Sequence, residues 1–559
     1  MQPRPWPEIP ADTARVARRA FPKGSLAMRA RDQLGAWYQD AGFAAAYGTR
    51  GAPGISPAQL AMVTVLQFAE NLTDRQAADA VRGRLDWKYC LGLRLEDEGF
   101  DFSVLSEFGG RLAAAGLERE IFDRLLGRLK DLGLVAAGSR QRTDSTHVLG
   151  RIRGLSRLEL AGESVRAALE ALAAAAPDWL ATVIDASWQE VYGQRIEQLR
   201  LPSGEAKRAA LAVRYGRDGC RLLEAVRAPG APGWLAGLPA VEALRQIWIQ
   251  QYYRETGGHG EKVIRREAKE HGLPPGRARI ASPYDTAARY GEKRGRGWRG
   301  YKTHISETCH QRAADGSRAA PNLITNIATT PASTAGIAMT EPVHDMLQDA
   351  GLTPAGHLVD AGYASADLLV AARERGIALI GPLLTTATPQ ARSGGYTADM
   401  FTIDWDNRQA TCPQGTASDT WCEHTATSGA DAILVRFPKD ACLPCPARAR
   451  CTTARGGRTP GLRPRHIHEA VTAARASQAT TAWKHTYNAR AGVEGTIWQA
   501  THATGIRHAR YHGLAKTTLQ HHAAAAAINL IRLDAWWTGK PLDRTRTTHL
   551  QRLQLTPAA

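Results

Sequence analysis

The chain has 559 residues, which is too long for one ordinary hydrophobic core, so we expect several domains or large insertions. Its 71 Lys and Arg against 54 Asp and Glu give a net charge of +17, which suits a nucleic-acid partner but also occurs in ribosome-associated and membrane-surface proteins. Eight cysteines are too few for a disulfide scaffold and no apolar run is long enough to span a bilayer, so we expect a soluble cytoplasmic protein with free thiols or metal ligands.

Residues 1–135 form the first predicted domain and are expected to be helical. Ser56 offers an N-cap followed by a proline, and Thr73 with Gln76 has the spacing of a capping box. A break at Gly83 between two short helical stretches is compatible with a helix-turn-helix and equally with a plain helical bundle. The candidate phosphate contacts near this break are Arg82, Arg84 and Lys88.

Residues 136–155 contain the first of three candidate catalytic carboxylates. The run 142–148 reads as a β-strand with polar residues at its centre, where Asp144 can face a cleft, although it could also be a turn acid. Residues 156–274 then form a helical block with an Ala-rich run at 167–176. This block is most simply an insertion into the fold.

Residues 275–398 combine a basic segment with the second carboxylate. Residues 277–302 hold eight Lys or Arg and two acids, which predicts either a surface that follows a nucleic-acid backbone with aromatic stacking platforms or a solvated loop. The interleaved aromatic residues are Tyr284, Tyr290, Trp298 and Tyr301. The candidate DNA contacts are Arg289, Lys293, Arg294, Arg296 and Lys302.

A short apolar strand from His357 places Asp360 at its C-terminal end, just before a helix that starts at about Ser365. At this position Asp360 can face a cleft or simply cap the helix. The histidines near the two aspartates are expected to be structural rather than catalytic.

Residues 399–464 are predicted to be a small β-rich insertion that carries five of the eight cysteines. A Cys-x2-Cys pair with further cysteines nearby predicts a tetrahedral structural Zn2+ site. The four proposed ligands are Cys412, Cys442, Cys445 and Cys451. The alternatives are buried thiols, replacement of one ligand by Cys422 or His424, and an iron-sulfur cluster.

Residues 465–540 form the last predicted structured region, followed by a tail at 541–559. Tyr487, Arg490 and Glu494 lie at offsets 0, 3 and 7, so on one helix they would share a face and present a phenol, a guanidinium and a carboxylate together. Glu494 could instead be a solvated helix residue. Three carboxylates in strand, strand-end and helix contexts can hold two divalent metal ions.

Six motifs resemble those of bacterial insertion-sequence transposases of the DDE type, closest to those with an InsH-like N-terminal domain. The motifs are TDSTHV at 143–148, SPYD at 282–285, GYKTH at 300–304, HLVDAGY at 357–363, VEGTI at 493–497 and ARYHGLAK at 509–516. The resemblance covers residues 10–535 approximately. It implies an α/β protein: a ribonuclease-H-like catalytic core with a helical N-terminal domain, a helical insertion and a small Cys-rich β insertion.

The same resemblance implies Mg2+ or Mn2+ at Asp144, Asp360 and Glu494, and cutting and rejoining of DNA at the ends of the element. The N-terminal domain would then grip the terminal inverted repeats. The implied partner is double-stranded DNA, both repeats and target, bound by a homodimer in the nucleoid. A DNA-binding protein derived from a transposase, or a nuclease that does not join strands, are the alternative functions.

Residue roles follow from the same resemblance. Arg490 would hold the scissile phosphate, Tyr487 would orient a phosphate or Glu494, and Trp498 could stack on a displaced base. Related transposases often place a Lys seven residues after the Glu, where this chain has Thr501. The candidates for the missing phosphate contact are Arg507 and Lys516.

Overall fold

The computed structural model describes residues 3–48, 54–196, 201–257, 260–310, 320–383, 389–427 and 429–540, and the tail expected at 541–559 lies outside them. The chain divides into two compact units. Unit 1 comprises Met1–Val135, Ser145–Thr334 and Glu494–Ala559, and unit 2 comprises Ala136–Asp144 and Ala335–Val493. Within the described ranges, no helix is long and apolar enough to cross a membrane.

The N-terminal part of unit 1 is helical, as predicted. Ser56 accepts a hydrogen bond from the backbone N–H of Gln59 and Pro57 opens the helix, while Thr73 and Gln76 form a reciprocal capping box. The α-helices are α1 (Ala11–Ala20), α2 (Leu26–Leu34), α3 (Pro57–Ala69), α4 (Asp74–Gly83), α5 (Leu85–Leu91), α6 (Ser103–Ala114) and α7 (Glu120–Asp131), with a 3-10 helix at Asp40–Ala46.

The junction of α4 and α5 decides between the two interpretations of this region. A single residue, Arg84, separates the two helices, whereas a helix-turn-helix has a turn of roughly 3–4 residues. Trp87, Lys88 and Tyr89 of α5 are all buried. The junction therefore favours a packed bundle.

The block predicted as a helical insertion belongs to unit 1 and has its own apolar core, which includes Leu172, Tyr215 and Trp248. A capping box of Ser156 and Glu159 starts it. It follows strand β1 (Arg140–Leu149) and contains α8 (Arg157–Ala175), α9 (Pro177–Val183), α10 (Ala186–Tyr192), α11 (Glu205–Ala225) and α12 (Pro239–Gln251). It ends in a β-hairpin that the sequence did not predict, formed by β2 (Tyr252–Gly257) and β3 (Gly260–Arg265).

Three antiparallel strands follow in unit 1, namely β4 (Arg289–Lys293), β5 (Arg296–Thr308) and β6 (Ile324–Pro331). The β5 backbone comes very close to the end of β1 at Gly300, whose φ is +145°. A β-carbon on Gly300 would lie 2.3 Å from the backbone nitrogen of Gly150 and 2.4 Å from the carbonyl oxygen of Val148. Only glycine fits this position.

Unit 2 contains the first half of β1, paired in parallel with β7 (Gly356–Val359), which pairs in parallel with β8 (Ala378–Ile380). Two helices accompany these strands, α13 (Thr340–Asp349) and α14 (Ala366–Glu374). The second begins where the sequence predicted a helix, and the Ser365 side chain caps it. Both strands were predicted from the sequence. Asp144 directly follows the paired segment of β1, and Asp360 directly follows β7.

The Cys-rich part of unit 2 is a set of short strands and helices around Phe401, Val435 and Phe437. Its strands are β9 (Thr402–Asp404), β10 (Gln409–Thr411), β11 (Thr420–Thr425), β12 (Asp431–Arg436) and β13 (Gly461–Leu462), and its helices are α15 (Pro389–Arg392), α16 (Lys439–Cys442) and α17 (Arg448–Cys451). The helices after it are α18 (Arg465–Ala479), α19 (Thr481–Asn488) and α20 (Gly492–Thr504), with a 3-10 turn at Ala489–Ala491.

The last helix, α21 (Leu514–Trp537), is buried on all sides along much of its length and belongs to the core of unit 1. It packs against α2, α3, α6, α7 and β6. Its Asp534 carboxylate pairs with Arg29 of α2 at 2.6 Å. The C-terminal helix therefore holds the N-terminal helices and the antiparallel strands together.

Candidate active site

Asp144 and Asp360 lie side by side on neighbouring parallel strands. Thr143 of β1 is in register with Val359 of β7. Asp144, the next residue of β1, and Asp360, the residue that follows β7, therefore lie at the same level. In parallel strands, residues in register point to the same face of the sheet. Asp144 is buried and Asp360 is half-buried, and both belong to unit 2.

Arg490 and Tyr487 complete this cluster in unit 2. Arg490 Nη1 lies 3.1 Å from Asp144 Oδ2, and the guanidinium carbon is 5.9 Å from the centre of the Tyr487 ring. Burial raises the pKa of Tyr487, with Asp360 and Asp144 adding to the rise and Arg490 opposing it. The structure thus brings together four of the five predicted catalytic residues.

Glu494, the fifth, lies on α20 and is exposed. It is the first residue of the last segment of unit 1, four residues along the chain from Arg490. The predicted single helix for Tyr487, Arg490 and Glu494 is instead α19, a 3-10 turn and α20 in succession.

A hydrogen-bond network within unit 1 fixes α20 just beyond Glu494. Thr496 Oγ1 donates to Glu307 Oε2 at 2.6 Å, and Arg532 Nη1 lies 2.6 Å from the same oxygen. Glu307 is fully buried, so this carboxylate is held by a charged and a neutral donor. Sequence reasoning missed the network because its members come from three distant parts of the chain.

A chain of buried polar side chains lies behind the two aspartates. His357 Nε2 is 2.6 Å from Thr143 Oγ1, and His357 Nδ1 is 2.9 Å from His344 Nε2. Burial, with His344 beside it, lowers the pKa of His357 to about 3, and burial lowers that of His344 to about 4. Both imidazoles are therefore neutral, and they join β1, β7 and α13.

Arg142 joins the first strand to the segment that carries Arg490. Its Nη1 donates to the carbonyl oxygen of Ala489 at 2.6 Å. A β-carbon on Gly492 would lie 2.0 Å from Arg142 Nη1, so the guanidinium passes where any other residue would place its side chain. No pattern in the sequence indicated this contact.

Among the described residues, no group of three or more His, Cys, Asp or Glu is arranged to hold a metal ion. The donor set nevertheless suits one: carboxylate oxygens are the ligands that Mg2+ and Mn2+ prefer.

Two family models match the chain. Residues 411–534 match the model described as Transposase DDE domain, and residues 16–111 match the one described as Transposase domain (DUF772). Together the two matches support a DDE-type insertion-sequence transposase. The DDE domain indicates a metal-dependent polynucleotidyl transferase or nuclease. No curated protein and no solved structure matches it.

The DDE match includes Glu494 but neither Asp144 nor Asp360. It also includes the four cysteines predicted to bind zinc, all of which line one pocket of the transposase. Burial raises the pKa of the Cys451 thiol, and the other three thiols raise it further while Arg458 opposes them. Cys90, Cys220 and Cys309 are buried, in keeping with a packing role.

The N-terminal cations predicted to contact DNA differ in their exposure and in their pairing with acidic side chains. Arg82 is exposed and pairs with Asp79 at 3.3 Å, whereas Arg84 is held by Glu70 and Asp86. Lys88 is buried, and its ammonium donates to the carbonyl oxygens of residues 94, 95 and 97. Lys88 is therefore a structural lysine and not a phosphate contact.

The basic segment of the transposase also contains both buried and exposed residues. Trp298 and Tyr301, expected as stacking platforms, are buried in unit 1, while Tyr284 and Tyr290 are exposed. Arg289 donates to three backbone carbonyl oxygens, and burial lowers its pKa. Three further cations of the predicted contact set are exposed, namely Lys293, Arg294 and Arg296.

The other candidate DNA contacts are partly engaged in unit 1. Lys302 donates to the carbonyl oxygen of Thr334 at 2.6 Å, and Arg507 donates to Thr146 Oγ1 at 2.8 Å. Lys516 is half-buried. Trp498 is 60% exposed and stacks on His502 of the same helix, with ring centres 4.2 Å apart.

Proposed function

We propose that this transposase cuts DNA at the terminal inverted repeats of its element and joins the ends to a target, using Asp144, Asp360 and Glu494 as metal-binding carboxylates. The observation that carries the proposal is the register of β1 and β7, in which Asp144 and Asp360 come directly after the paired residues Thr143 and Val359. Arg490 and Tyr487 lie beside them. A guanidinium and a phenol next to paired carboxylates suit a phosphodiester.

A ribonuclease-H-like core is part of this proposal. It is supported by parallel strands in unit 2, with Asp144 within β1 and Asp360 directly after β7, and by antiparallel strands β4, β5 and β6 in unit 1. The proposed domains are those given by the sequence: 1–135, 136–155, 156–274, 275–398, 399–464 and 465–540.

The carboxylates would hold Mg2+ or Mn2+. When bound, such ions supply Lewis acidity that activates a water or a 3′-hydroxyl and stabilises the departing oxygen. Arg490 holds the scissile phosphate through its planar guanidinium, and its contact with Asp144 places it beside that carboxylate. Tyr487 orients the phosphate by donating its phenolic proton.

The test compares Asp144→Asn, Asp360→Asn and Glu494→Gln with the unaltered protein on duplexes that carry the terminal repeats. Each substitution removes a metal-binding charge and little volume, so we expect Mg2+-dependent cleavage to fall at least about 100-fold while DNA binding stays. Asp349→Asn is the matched control, because Asp349 is an exposed carboxylate in unit 2.

Wild-type cleavage in any of the three variants would refute the assignment of that residue. Cleavage without joining of the 3′ ends to a target duplex would identify the protein as a nuclease instead.

We propose further that the N-terminal module contacts the repeats through Arg82 and that a homodimer acts on paired ends in the nucleoid. Arg82 is the exposed member of the three predicted cations in this module. Sedimentation with and without repeat DNA tests the assembly: a complex with one protein chain per two ends would contradict it.

A structural Zn2+ at Cys412, Cys442, Cys445 and Cys451 is also proposed. It is supported by the pocket that all four cysteines line and by the closeness of the other three thiols to Cys451, whose pKa they raise. Four cysteine thiolates are a common ligand set for a structural zinc ion.

Elemental analysis should find about one zinc per chain, and Cys445→Ser should lose it and melt at a lower temperature. Cys422→Ser is the control, because Cys422 is exposed on β11. Zinc-free protein, or loss of zinc in the control as well, would refute this ligand set.

A further inference from the structure

The most exposed cations of the basic segment lie at the tip of a two-stranded ribbon, β4 with the start of β5. Lys293 pairs with Arg296, and Arg294 and Gly295 form the two-residue loop between them. Both loop residues have positive φ, +54° and +75°, as a type I′ hairpin turn requires. Asn or Gly usually fills the first of these positions, so the arginine there adds a cation where the backbone disfavours it.

The two faces of the ribbon differ. Gly291 and Trp298 are paired and buried, and this face packs on unit 1. On the opposite face, Tyr290 is half exposed and extends across the other strand, since a β-carbon on Gly297 would lie 2.3 Å from the Tyr290 hydroxyl. Glu292 is the acid on this face, 3.5 Å from that hydroxyl.

The tip of the ribbon carries three positive charges. Lys293, Arg294 and Arg296 are all exposed, and none of them forms an ion pair with another described residue. With Trp298 and Tyr301 buried, this segment does not offer the row of aromatic platforms that a single strand would need. A narrow, cationic, two-stranded ribbon instead matches the major groove of duplex DNA, which admits such a ribbon between two rows of phosphates.

We propose that the β4–β5 ribbon enters the major groove of duplex DNA, with Lys293, Arg294 and Arg296 on the flanking phosphates and Tyr290 against the groove wall. This inference rests on the proposed function for its DNA substrate. It makes the ribbon a positioning element that acts on all sequences alike, because phosphate contacts carry no sequence information.

The test removes the tip charges together as K293A/R294N/R296A, with asparagine at position 294 because it tolerates positive φ. We expect the slope of log affinity against log salt to fall by about 3 for duplex DNA, at roughly 0.9 per phosphate. The control, K207A/K262A/K269A, removes three exposed lysines from the helical insertion and should leave the slope unchanged.

Dimethyl sulfate footprinting then locates the groove, since guanine N7 lies in the major groove and adenine N3 in the minor. The unaltered protein should protect guanine N7 positions, and the ribbon variant should lose that protection. Equal slopes for the ribbon and control variants, protection of adenine N3 alone, or a slope change confined to single-stranded DNA would each overturn the inference. Failure of the proposed function would give a different result from these three outcomes. The protein would still bind duplex DNA through the ribbon, but it would show no cleavage that depends on the carboxylates.

Discussion

Charged side chains differ in burial between two regions of the molecule. One region is the paired segment of β1 and β7 in unit 2, and the other is the β4–β5 ribbon in unit 1. Asp144 is buried, paired with Arg490 and supported by the Thr143 to His344 hydrogen-bond chain. The cations of the ribbon tip are exposed and make no ion pair within the described part of the chain. A metal-binding carboxylate must be held in place by its surroundings, whereas a phosphate contact needs only a hydrated cation within reach.

Acidification should cause the largest change, because buried histidines lie in both units. Burial lowers the pKa values of five histidines, to about 3 for His304, His357 and His522 and about 4 for His344 and His521. Their folded pKa values lie below the unfolded value of 6.5, so the stability they allow is present above pH 6.5. It is lost as pH falls towards 4, because the unfolded chain binds the protons.

Each of these histidines removes up to about 1.4 kcal/mol of unfolding free energy per pH unit in that window. Denaturant titrations between pH 7 and pH 4 measure this loss. His357→Gln should flatten the dependence, and His485→Gln, at an exposed position of unit 2, should not. Constant stability from pH 7 to pH 4 would contradict the neutral, buried state of the imidazoles.

A smaller effect is expected where Arg142 passes Gly492. Gly492→Ala puts a methyl group into the guanidinium, which should cost about 1–3 kcal/mol of unfolding free energy and reduce cleavage. Gly495→Ala in the same helix has nothing within 4 Å and should stabilise the protein by up to about 1 kcal/mol.

Adding Arg142→Ala to Gly492→Ala should recover part of the loss, since the two residues are in contact. Strictly additive free energies of unfolding would show that the close approach does not constrain the site.

The smallest effect is expected in the N-terminal module, where Arg82 and Lys88 repeat the contrast between exposed and buried charge. Arg82→Ala should lower the salt slope for repeat DNA by about 1 and leave the melting temperature nearly unchanged. Lys88→Ala should lower the melting temperature and leave the salt slope nearly unchanged, because it leaves three carbonyl oxygens without their donor. A salt slope altered by Lys88→Ala alone would contradict its structural role.

The sequence predicted the features that depend on local rules. The caps at Ser56 and Thr73, the strand around Asp144 and the strand before Asp360 all follow from side-chain hydrogen bonding and hydrophobic pattern over a few residues. The order of the three carboxylates along the chain came from the motifs of the resemblance.

Features that depend on distant contacts could not be predicted. From the sequence alone, Lys88 is predicted to be a surface cation, but in the fold its ammonium is bonded by the loop at 94–97. Likewise, Trp298 is predicted to be an exposed stacking platform, but its face of the ribbon is buried in unit 1. Arg142 and His344 were missed for the same reason, because their partners lie 347 and 13 residues away. Burial is a property of the fold, and a charge pattern does not contain it.

Gly300, at the closest approach of β5 to β1, has a consequence for reading related sequences. Its φ of +145° and the absence of room for a β-carbon exclude every other residue while the two backbones stay in place. Backbone geometry therefore requires the glycine of the GYKTH motif, whether or not the protein is catalytically active. A catalytically dead descendant that keeps this fold should lose its carboxylates freely and still retain that glycine.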